Sequence, residues 1–187
     1  YFDFYGGIDF RYYKGLHKNV ITDLFGGQYY VDSYNRKSVL AENSVNGGVT
    51  SWVNQKLGVG DVIRRDYDGF VMYEGGFAQL EYNKDKVSAF VSGGLTNTSY
   101  WRKDRFYYSG DKQLSSKKHY LGGNVKAGLN YNLDDYNNVF FNTGFISRAP
   151  IFDNTFINSQ SSHERNPDAK NEKVYSYLRK GENETLV

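Results

Sequence analysis

Apolar and polar side chains alternate with a period of two along several stretches of this chain, and this pattern constrains the fold most. In residues 2–13, every even position from Phe2 to Tyr12 is apolar or glycine, whereas the odd positions include Asp3, Asp9 and Arg11. Successive side chains of a β-strand point to opposite faces, so this is the pattern of a strand with one apolar and one polar face. The alternation recurs in residues 76–82, 87–95, 120–131 and 139–147.

Two kinds of connection separate the predicted strands. Asn83-Lys84-Asp85 and residues 132–138 are short and rich in the Asn and Asp that reverse a chain. The other connections are long and polar, and they alternate strictly with the short ones. This alternation of short and long connections predicts an all-β, antiparallel up-and-down meander with its short turns at one end. We place the strands near 2–16, 68–82, 86–101, 119–132, 137–149 and 172–179, and the long connections at 17–67, 101–118 and 149–171.

Glu74 interrupts the alternation of its own stretch. It comes just before the regular segment 76–82 and is a charged residue at a position that the period assigns to the apolar face. We therefore expect a β-bulge or the end of the strand at Glu74.

Composition excludes several classes of protein. Among 187 residues, 18 Tyr, 13 Phe and 2 Trp argue against disorder, because disordered chains are poor in aromatic residues. No stretch approaches the roughly 18 consecutive apolar residues of a membrane-spanning helix. With 23 Lys and Arg against 21 Asp and Glu, the net charge of +2 gives no reason to expect a nucleic-acid partner.

Residues able to perform chemistry are sparse. The absence of cysteine excludes disulfides, thiolate zinc sites and cysteine nucleophiles. His17, His119 and His163 lie far apart in the sequence without metal-ligand spacing, and no Ser/His/Asp arrangement is recognisable. We therefore predict no enzyme activity, no metal and no cofactor.

The aromatic residues cluster near the ends of the predicted strands. Transmembrane β-barrels carry aromatic girdles at both membrane interfaces, with short turns on one side and long loops on the other. A closed barrel satisfies its backbone hydrogen bonds within lipid. The pattern therefore favours a segment of such a barrel over a soluble sheet. The aromatic residues in question are Phe2, Phe4, Tyr12, Tyr13, Tyr82, Tyr100, Trp101, Tyr120, Tyr131 and Tyr136.

A barrel of this kind assigns the two faces of each strand. In residues 120–131, the apolar side chains are expected to face lipid and the polar ones the lumen; the first set is Leu121, Val125, Ala127 and Leu129, and the second is Asn124, Lys126 and Asn130. The residues predicted to face the lumen over the whole chain are Asp3, Asp9, Arg11, Asn124, Lys126 and Asn142.

The long loops hold the candidate ligand-binding residues, since loops on a rigid scaffold carry binding residues disproportionately. The loop YWRKDRFYYSGDKQ (100–113) combines aromatic rings with Arg and Asp, a mixture suited to a planar, anionic or sugar-like ligand. An interfacial girdle followed by a charged loop explains the same residues. The candidates are Tyr100, Trp101, Arg102, Arg105, Tyr107, Tyr108, His163 and Arg165, together with Phe106, Phe152 and Phe156.

Several segments resemble the β-barrel of TonB-dependent receptors of Gram-negative outer membranes, especially those of Bacteroidetes. Residues 75–108 resemble a barrel hairpin that runs into an extracellular loop. In residues 119–156, GFISRAPIF resembles the strand end that precedes a long outer loop, and NPDAKNEKVYSY (166–177) resembles the segment that opens the next strand. The resemblance covers roughly residues 1–177 and implies a barrel segment.

The chain also departs from that family. It has neither a plug domain nor a segment that contacts TonB, and about six predicted strands compare with 22 in such transporters. It begins at Tyr1, has its only Met at position 72, and ends in LRKGENETLV without a terminal aromatic residue. We therefore expect residues 1–187 to be a partial barrel whose first and last strands are unpaired edges.

The resemblance implies an outer-membrane receptor for active uptake of an iron chelate, cobalamin or a glycan. Its partners would be outer-membrane lipid, a small-molecule or oligosaccharide ligand, and the TonB system acting through the missing plug. Two alternatives remain, namely a smaller porin-like barrel of the outer membrane and a soluble or surface β-sheet module that binds a ligand. The sequence does not distinguish the transported substrates.

Overall fold

The computed structural model describes residues 1–33, 54–158 and 160–179. They form one antiparallel sheet of six strands in the order β1-β2-β3-β4-β5-β6, so the predicted all-β meander is confirmed. The sheet is open, with β1 and β6 as its edges. The strands are β1 (Phe2–Val20), β2 (Val62–Lys84), β3 (Val87–Asp104), β4 (Lys118–Asn132), β5 (Asn138–Arg148) and β6 (Glu172–Arg179).

Two short helical pieces lie wholly within the described ranges. A 3₁₀ turn spans Gly110–Gln113, and a four-residue helix, α1, spans Phe152–Thr155. None of the helices in these ranges is long and apolar enough to cross a membrane.

The strands match the predicted positions, but the first four extend further toward the long connections, whereas β5 is one residue shorter at each end and β6 coincides with its predicted range. β1 reaches Val20, β2 begins at Val62 and β3 continues to Asp104. The first turn is also tighter than predicted, because Lys84 pairs with Val87 and leaves only Asp85 and Lys86 to reverse the chain. Both short turns lie at the same end of the sheet, as the alternation of connections indicated. Part of the 17–67 connection and the tail beyond Arg179 lie outside the described residues.

The expected irregularity at Glu74 is absent, and that prediction is wrong. Glu74 pairs in unbroken register with Phe10 on one side and Asn97 on the other, and its carboxylate accepts a hydrogen bond from the Asn97 amide at 3.1 Å. This bond offers the charged side chain a polar partner on the apolar face. The register instead shifts between Lys18 and Asn19. There β2 accommodates extra residues, and Arg64 adopts a positive φ of 63°.

Strand pairing extends the two faces of each strand across the whole sheet. Directly paired residues lie on the same face, and in the half of the sheet nearest the short turns the register mostly pairs apolar residues or glycines with one another, with Thr143 and Arg179 as polar exceptions. We call these faces the apolar face and the polar face. The apolar face includes Phe2, Phe4, Ile8, Leu80, Val91, Leu95, Leu121, Val125, Leu129 and Phe141, and the polar face includes Asp3, Asp9, Arg11, Gln79, Glu81, Ser92, Asn124, Lys126, Asn130 and Asn142.

Pairs of glycines cross the middle of the sheet. They lie at 6–7, 75–76, 93–94 and 122–123, one pair in each of the first four strands. A Cβ added at Gly123 would lie 2.6 Å from the Gly94 carbonyl oxygen, and one added at Gly122 would lie 2.6 Å from that of Ser147. Glycine is therefore required where neighbouring backbones approach this closely, and such positions permit a sheet to bend.

The hydrophobic core lies at the loop end of the molecule. Tyr100, Tyr120 and Ala169 form one buried cluster, and Phe106 and Tyr107 form a second. Within the described ranges, the turn-side half of the sheet contributes no buried hydrophobic side chain, and Ile8 is 94% exposed. The sheet therefore presents an extensive apolar surface that no described segment covers.

Candidate functional site

Two long connections fold together at the loop end of the sheet. We call residues 105–117 and 149–171 the cap. The rings of Tyr108 and His163 stack with their centroids 3.8 Å apart and their planes 8° apart, and the His163 backbone N–H donates to the Tyr108 hydroxyl at 3.1 Å. The Arg102 guanidinium also donates to the Gln160 carbonyl at 3.1 Å. These contacts join the second part of the cap to β3 and to the first part.

The second part of the cap lies against the polar face. Phe152 of α1 packs over Gly69 of β2, where an added Cβ would lie 3.0 Å from the ring. The Tyr100 hydroxyl donates to the Pro150 carbonyl at 2.8 Å, and the rings of Tyr100 and Phe152 meet edge to face. Tyr100 and Phe152, both predicted ligand-binding residues, thus anchor the cap to the sheet.

Arg102 lies at the centre of the cap contacts and is fully buried. Its guanidinium pairs with Asp104 two positions along β3, and it lies 4.7 Å above the ring of Tyr67 and 5.5 Å from that of Phe156. The second carboxylate oxygen of Asp104 accepts the backbone N–H groups of Phe106 and Tyr107, each at 2.8 Å. A ligand contact by Arg102 stays a prediction, since its side chain is enclosed in this structure.

Arg105 and Tyr107 connect the cap to β2. Arg105 donates to Asp66 at 2.6 Å and to Asp68 at 2.8 Å, and these hydrogen bonds raise the pKa of Arg105. The buried Tyr107 hydroxyl donates to the Arg64 carbonyl at 2.8 Å, and burial raises the pKa of Tyr107 to about 12. Both side chains therefore hold the connection after β3 in place.

Trp101 lies on the opposite side of the sheet from Tyr100 and Arg102. The sequence placed all three in one loop, but β3 continues to Asp104, so side-chain alternation separates them. Trp101 stacks on Phe70 at 5.3 Å on the apolar face, and Lys117 Nζ lies 4.6 Å from its ring. Trp101 is thus not part of the surface to which Tyr100 and Arg102 belong.

His163 and Arg165 lie over the first residues of β4. The guanidinium of Arg165 is 4.8 Å from the ring centroid of Tyr120, which is only 4% exposed. Burial, with the nearby charges of Arg102 and Lys118, lowers the pKa of His163 to about 4, so its imidazole is neutral at physiological pH. Within the described ranges, the Tyr120 hydroxyl and His163 Nε2 are buried without a hydrogen-bond partner.

Lys118 and Tyr120 are residues of this region that the sequence analysis did not single out as ligand-binding. They occupy alternate positions at the beginning of β4 and therefore share the polar face. Burial and the charge of Arg165 lower the pKa of Lys118. Their alternation on one face was visible in the sequence, whereas their proximity to residues 163–165 was not.

Two adjoining cavities open on the polar face beside the cap. Both are lined by Tyr13 and Val71. The larger, of about 340 Å³, also receives Arg11 from β1 and Arg148 from the end of β5. The smaller, of about 270 Å³, lies against Phe152 and Asp153 of α1 and against His17. The larger cavity is bounded by residues of both β1 and β5, although three strands lie between them in the sheet. The sheet therefore curves toward its polar face.

The residues predicted to face the lumen all lie on the polar face, although their exposure to a lumen stays a prediction. Arg11 pairs with Asp9 on β1, and its guanidinium lies 4.8 Å from the ring of Tyr73. Near the short turns, a third cavity of about 700 Å³ is lined in part by Phe90, Asn130 and Asn142. Across the described ranges, no group of three or more His, Asp or Glu residues is placed to hold a metal ion.

The loop end thus combines aromatic rings, guanidinium groups and enclosed space. Comparison of the chain with protein-family models, with curated proteins and with solved structures gave no match. The resemblance to receptor barrels therefore stays a prediction.

Proposed function

We propose that this chain is part of the β-barrel of a TonB-dependent outer-membrane receptor that takes up a nutrient such as an iron chelate, cobalamin or a glycan. The observation that carries the membrane location is the apolar face of the turn-side half, which lies uncovered across the sheet. The TonB-dependent mechanism rests on the sequence resemblance alone.

The apolar face has dimensions that suit a bilayer. On β1 the apolar positions run from Phe2 to Phe10, eight residues or about 27 Å along a strand at about 3.4 Å per residue. In the neighbouring strands, the row of Phe10 holds Glu74 and Asn97, which hydrogen-bond to each other. A strand tilted by about 40° then spans about 21 Å, close to the roughly 25 Å apolar band of outer-membrane barrels. Tyr82 lies at the turn end of this band, and Phe70 stacks on Trp101 beyond its other end.

The open edges of the sheet fit a segment of a larger barrel. β1 and β6 each have one neighbour, and further strands would satisfy their free backbone groups within lipid. The polar face would then line the lumen, with the cap and its two cavities at the outer end. We place ligand recognition there because the aromatic and guanidinium groups converge on that end.

Cysteine labelling tests this orientation cleanly, since the chain has no cysteine of its own. In the full-length protein, Asp111→Cys places a thiol in the cap and Asp135→Cys places one in a short turn. We expect a membrane-impermeant maleimide to label position 111 but not position 135 on intact cells. Labelling of position 135 alone would show that the short turns, and not the cap, face the outside of the cell. Recovery of the intact protein in the soluble fraction would refute the membrane location.

Transport is a separate experiment. Uptake of a ferric chelate, cobalamin or an oligosaccharide is measured in cells with and without the full-length gene, and with and without TonB. We expect at least one substrate to enter only when both are present. Uptake that needs the gene but not TonB would refute the TonB-dependent mechanism and favour a porin-like barrel.

A further inference from the structure

Two cationic side chains, those of Lys118 and Arg165, lie at the junction between β4 and the cap. Lys118 projects from the first residue of β4, and Arg165 approaches from the second part of the cap to cover the Tyr120 ring at 4.8 Å. Within the described ranges, neither forms an ion pair with an acidic residue. The Lys118 ammonium donates to the neutral Ser116 hydroxyl at 2.6 Å. Among the residues that the structure describes, no carboxylate therefore pairs with either cation.

Two buried polar atoms at the same junction also lack partners. The Tyr120 hydroxyl belongs to a residue that is only 4% exposed, and it is itself buried. His163 Nε2 is buried as well. A hydrogen bond with the Lys112 backbone favours protonation of the His163 imidazole, but burial outweighs it and lowers the pKa. Leaving a buried polar group without a partner is costly, which makes such groups indicators of a missing ligand or water.

We propose that Lys118, Tyr120, His163 and Arg165 form a binding site for an oxyanion, a phosphate or carboxylate group carried by the ligand. A bound oxyanion accepts the Tyr120 O–H and pairs with the cations of Lys118 and Arg165. It also stabilises a proton on His163 Nε2, which turns that nitrogen into a further donor. One group thus pairs with both cations and satisfies both orphaned atoms.

The site is partly exposed, which would allow a bound anion to exchange with solvent. Arg165 is exposed and Lys118 and His163 are half-buried, whereas Tyr120 forms the floor. Arg102 is close enough to influence His163, but it is already paired with Asp104. The inference rests on the proposed function only in assigning the oxyanion to the transported ligand.

The test uses the full-length protein in detergent micelles with ¹⁵N-labelled histidine. The His163 resonance is assigned by its loss in His163→Gln and titrated at constant ionic strength with inorganic phosphate and, separately, with acetate. We expect an anion that binds to raise the pKa of His163 by at least about one unit. Comparison of the two anions shows whether phosphate or carboxylate is preferred.

Variants separate this site from general attraction of anions. Lys118→Gln and Arg165→Gln are expected to weaken binding about tenfold or more, as for loss of a charge-assisted hydrogen bond. Tyr120→Phe removes only the hydroxyl and keeps the ring under Arg165, so it should weaken binding without disturbing the cap. Lys86→Gln, whose ammonium contacts the Leu133 carbonyl at the opposite end of the sheet, should bind as the wild type does.

Two results would overturn the inference: no response of His163 to either anion, or equal weakening by Lys86→Gln and Lys118→Gln. An intact anion response in a protein that transports nothing would refute the proposed function and leave the oxyanion site standing. Transport by a protein whose His163 resonance responds to neither anion would refute the oxyanion site and leave the proposed function standing.

Discussion

The imidazole of His163 lies flat against the phenol ring of Tyr108, with centroids 3.8 Å apart. The two residues are 55 positions apart, and the backbone N–H of His163 donates to the Tyr108 hydroxyl as well. This pair joins the two parts of the cap.

The stability of the cap is expected to decrease with acidification between about pH 6.5 and pH 4. Folding lowers the pKa of His163 from its ordinary 6.5 to about 4, so only the unfolded cap binds a proton within that range. Stability is therefore fully present above pH 6.5 and is lost as pH falls toward 4. After allowance for solvent screening, the effect is on the order of 1 kcal/mol. Hydrogen exchange of the cap amides, corrected for intrinsic rates, measures it.

His163→Gln supplies the control for that prediction. Glutamine keeps a polar side chain but does not titrate, so this dependence of cap exchange on pH should largely disappear between pH 4 and 6.5. An unchanged slope in the variant would show that another group is responsible.

Asp104→Ala should destabilise the protein by about 3–5 kcal/mol, because it removes the carboxylate that pairs with the buried Arg102. It also removes the acceptor of two backbone N–H groups, those of Phe106 and Tyr107. The free energy of unfolding of the full-length protein measures the loss.

The matched control is Asp9→Ala, which breaks another Arg–Asp pair with the same spacing on β1. That pair is exposed, so its loss should leave the free energy of unfolding nearly unchanged. Comparable losses in the two variants would mean that burial does not set the importance of the Arg102–Asp104 pair.

Val125→Arg should impair barrel assembly more than Asn124→Arg does. Val125 lies on the apolar face and Asn124 on the polar face of the same strand. A charged residue facing lipid near the bilayer midplane costs about 2–4 kcal/mol, whereas an arginine facing the lumen remains hydrated. The folded fraction in outer-membrane preparations measures the difference, and equal tolerance of both substitutions would contradict the assignment of the faces.

Gly123→Ala should destabilise the sheet by about 1–3 kcal/mol, because its Cβ would lie 2.6 Å from the Gly94 carbonyl oxygen. Gly93→Ala is the control on the same face, since its nearest atom would be 3.7 Å away. Denaturant unfolding of the two full-length variants compares them. A Gly123→Ala protein as stable as Gly93→Ala would show that the close approach relaxes at little cost.

The sequence by itself determined the strands, their two faces and the order of the short turns. These features depend on a period of two and on turn-forming residues close together in the chain, so Phe2 to Tyr12 and Asn124 to Asn130 could be assigned without a structure. Local signals were insufficient at Glu74, where the cross-strand partner Asn97 supplies a hydrogen bond that no neighbour in sequence reveals.

Only the tertiary structure decided which loop residues come together. The continuation of β3 to Asp104 separated Trp101 from Tyr100 and Arg102, and the folding of residues 149–171 over the sheet enclosed Arg102 and brought Arg165 to Tyr120. Such contacts join positions tens of residues apart and depend on the curvature of the whole sheet. The periodicity of a single strand therefore contains no information about them.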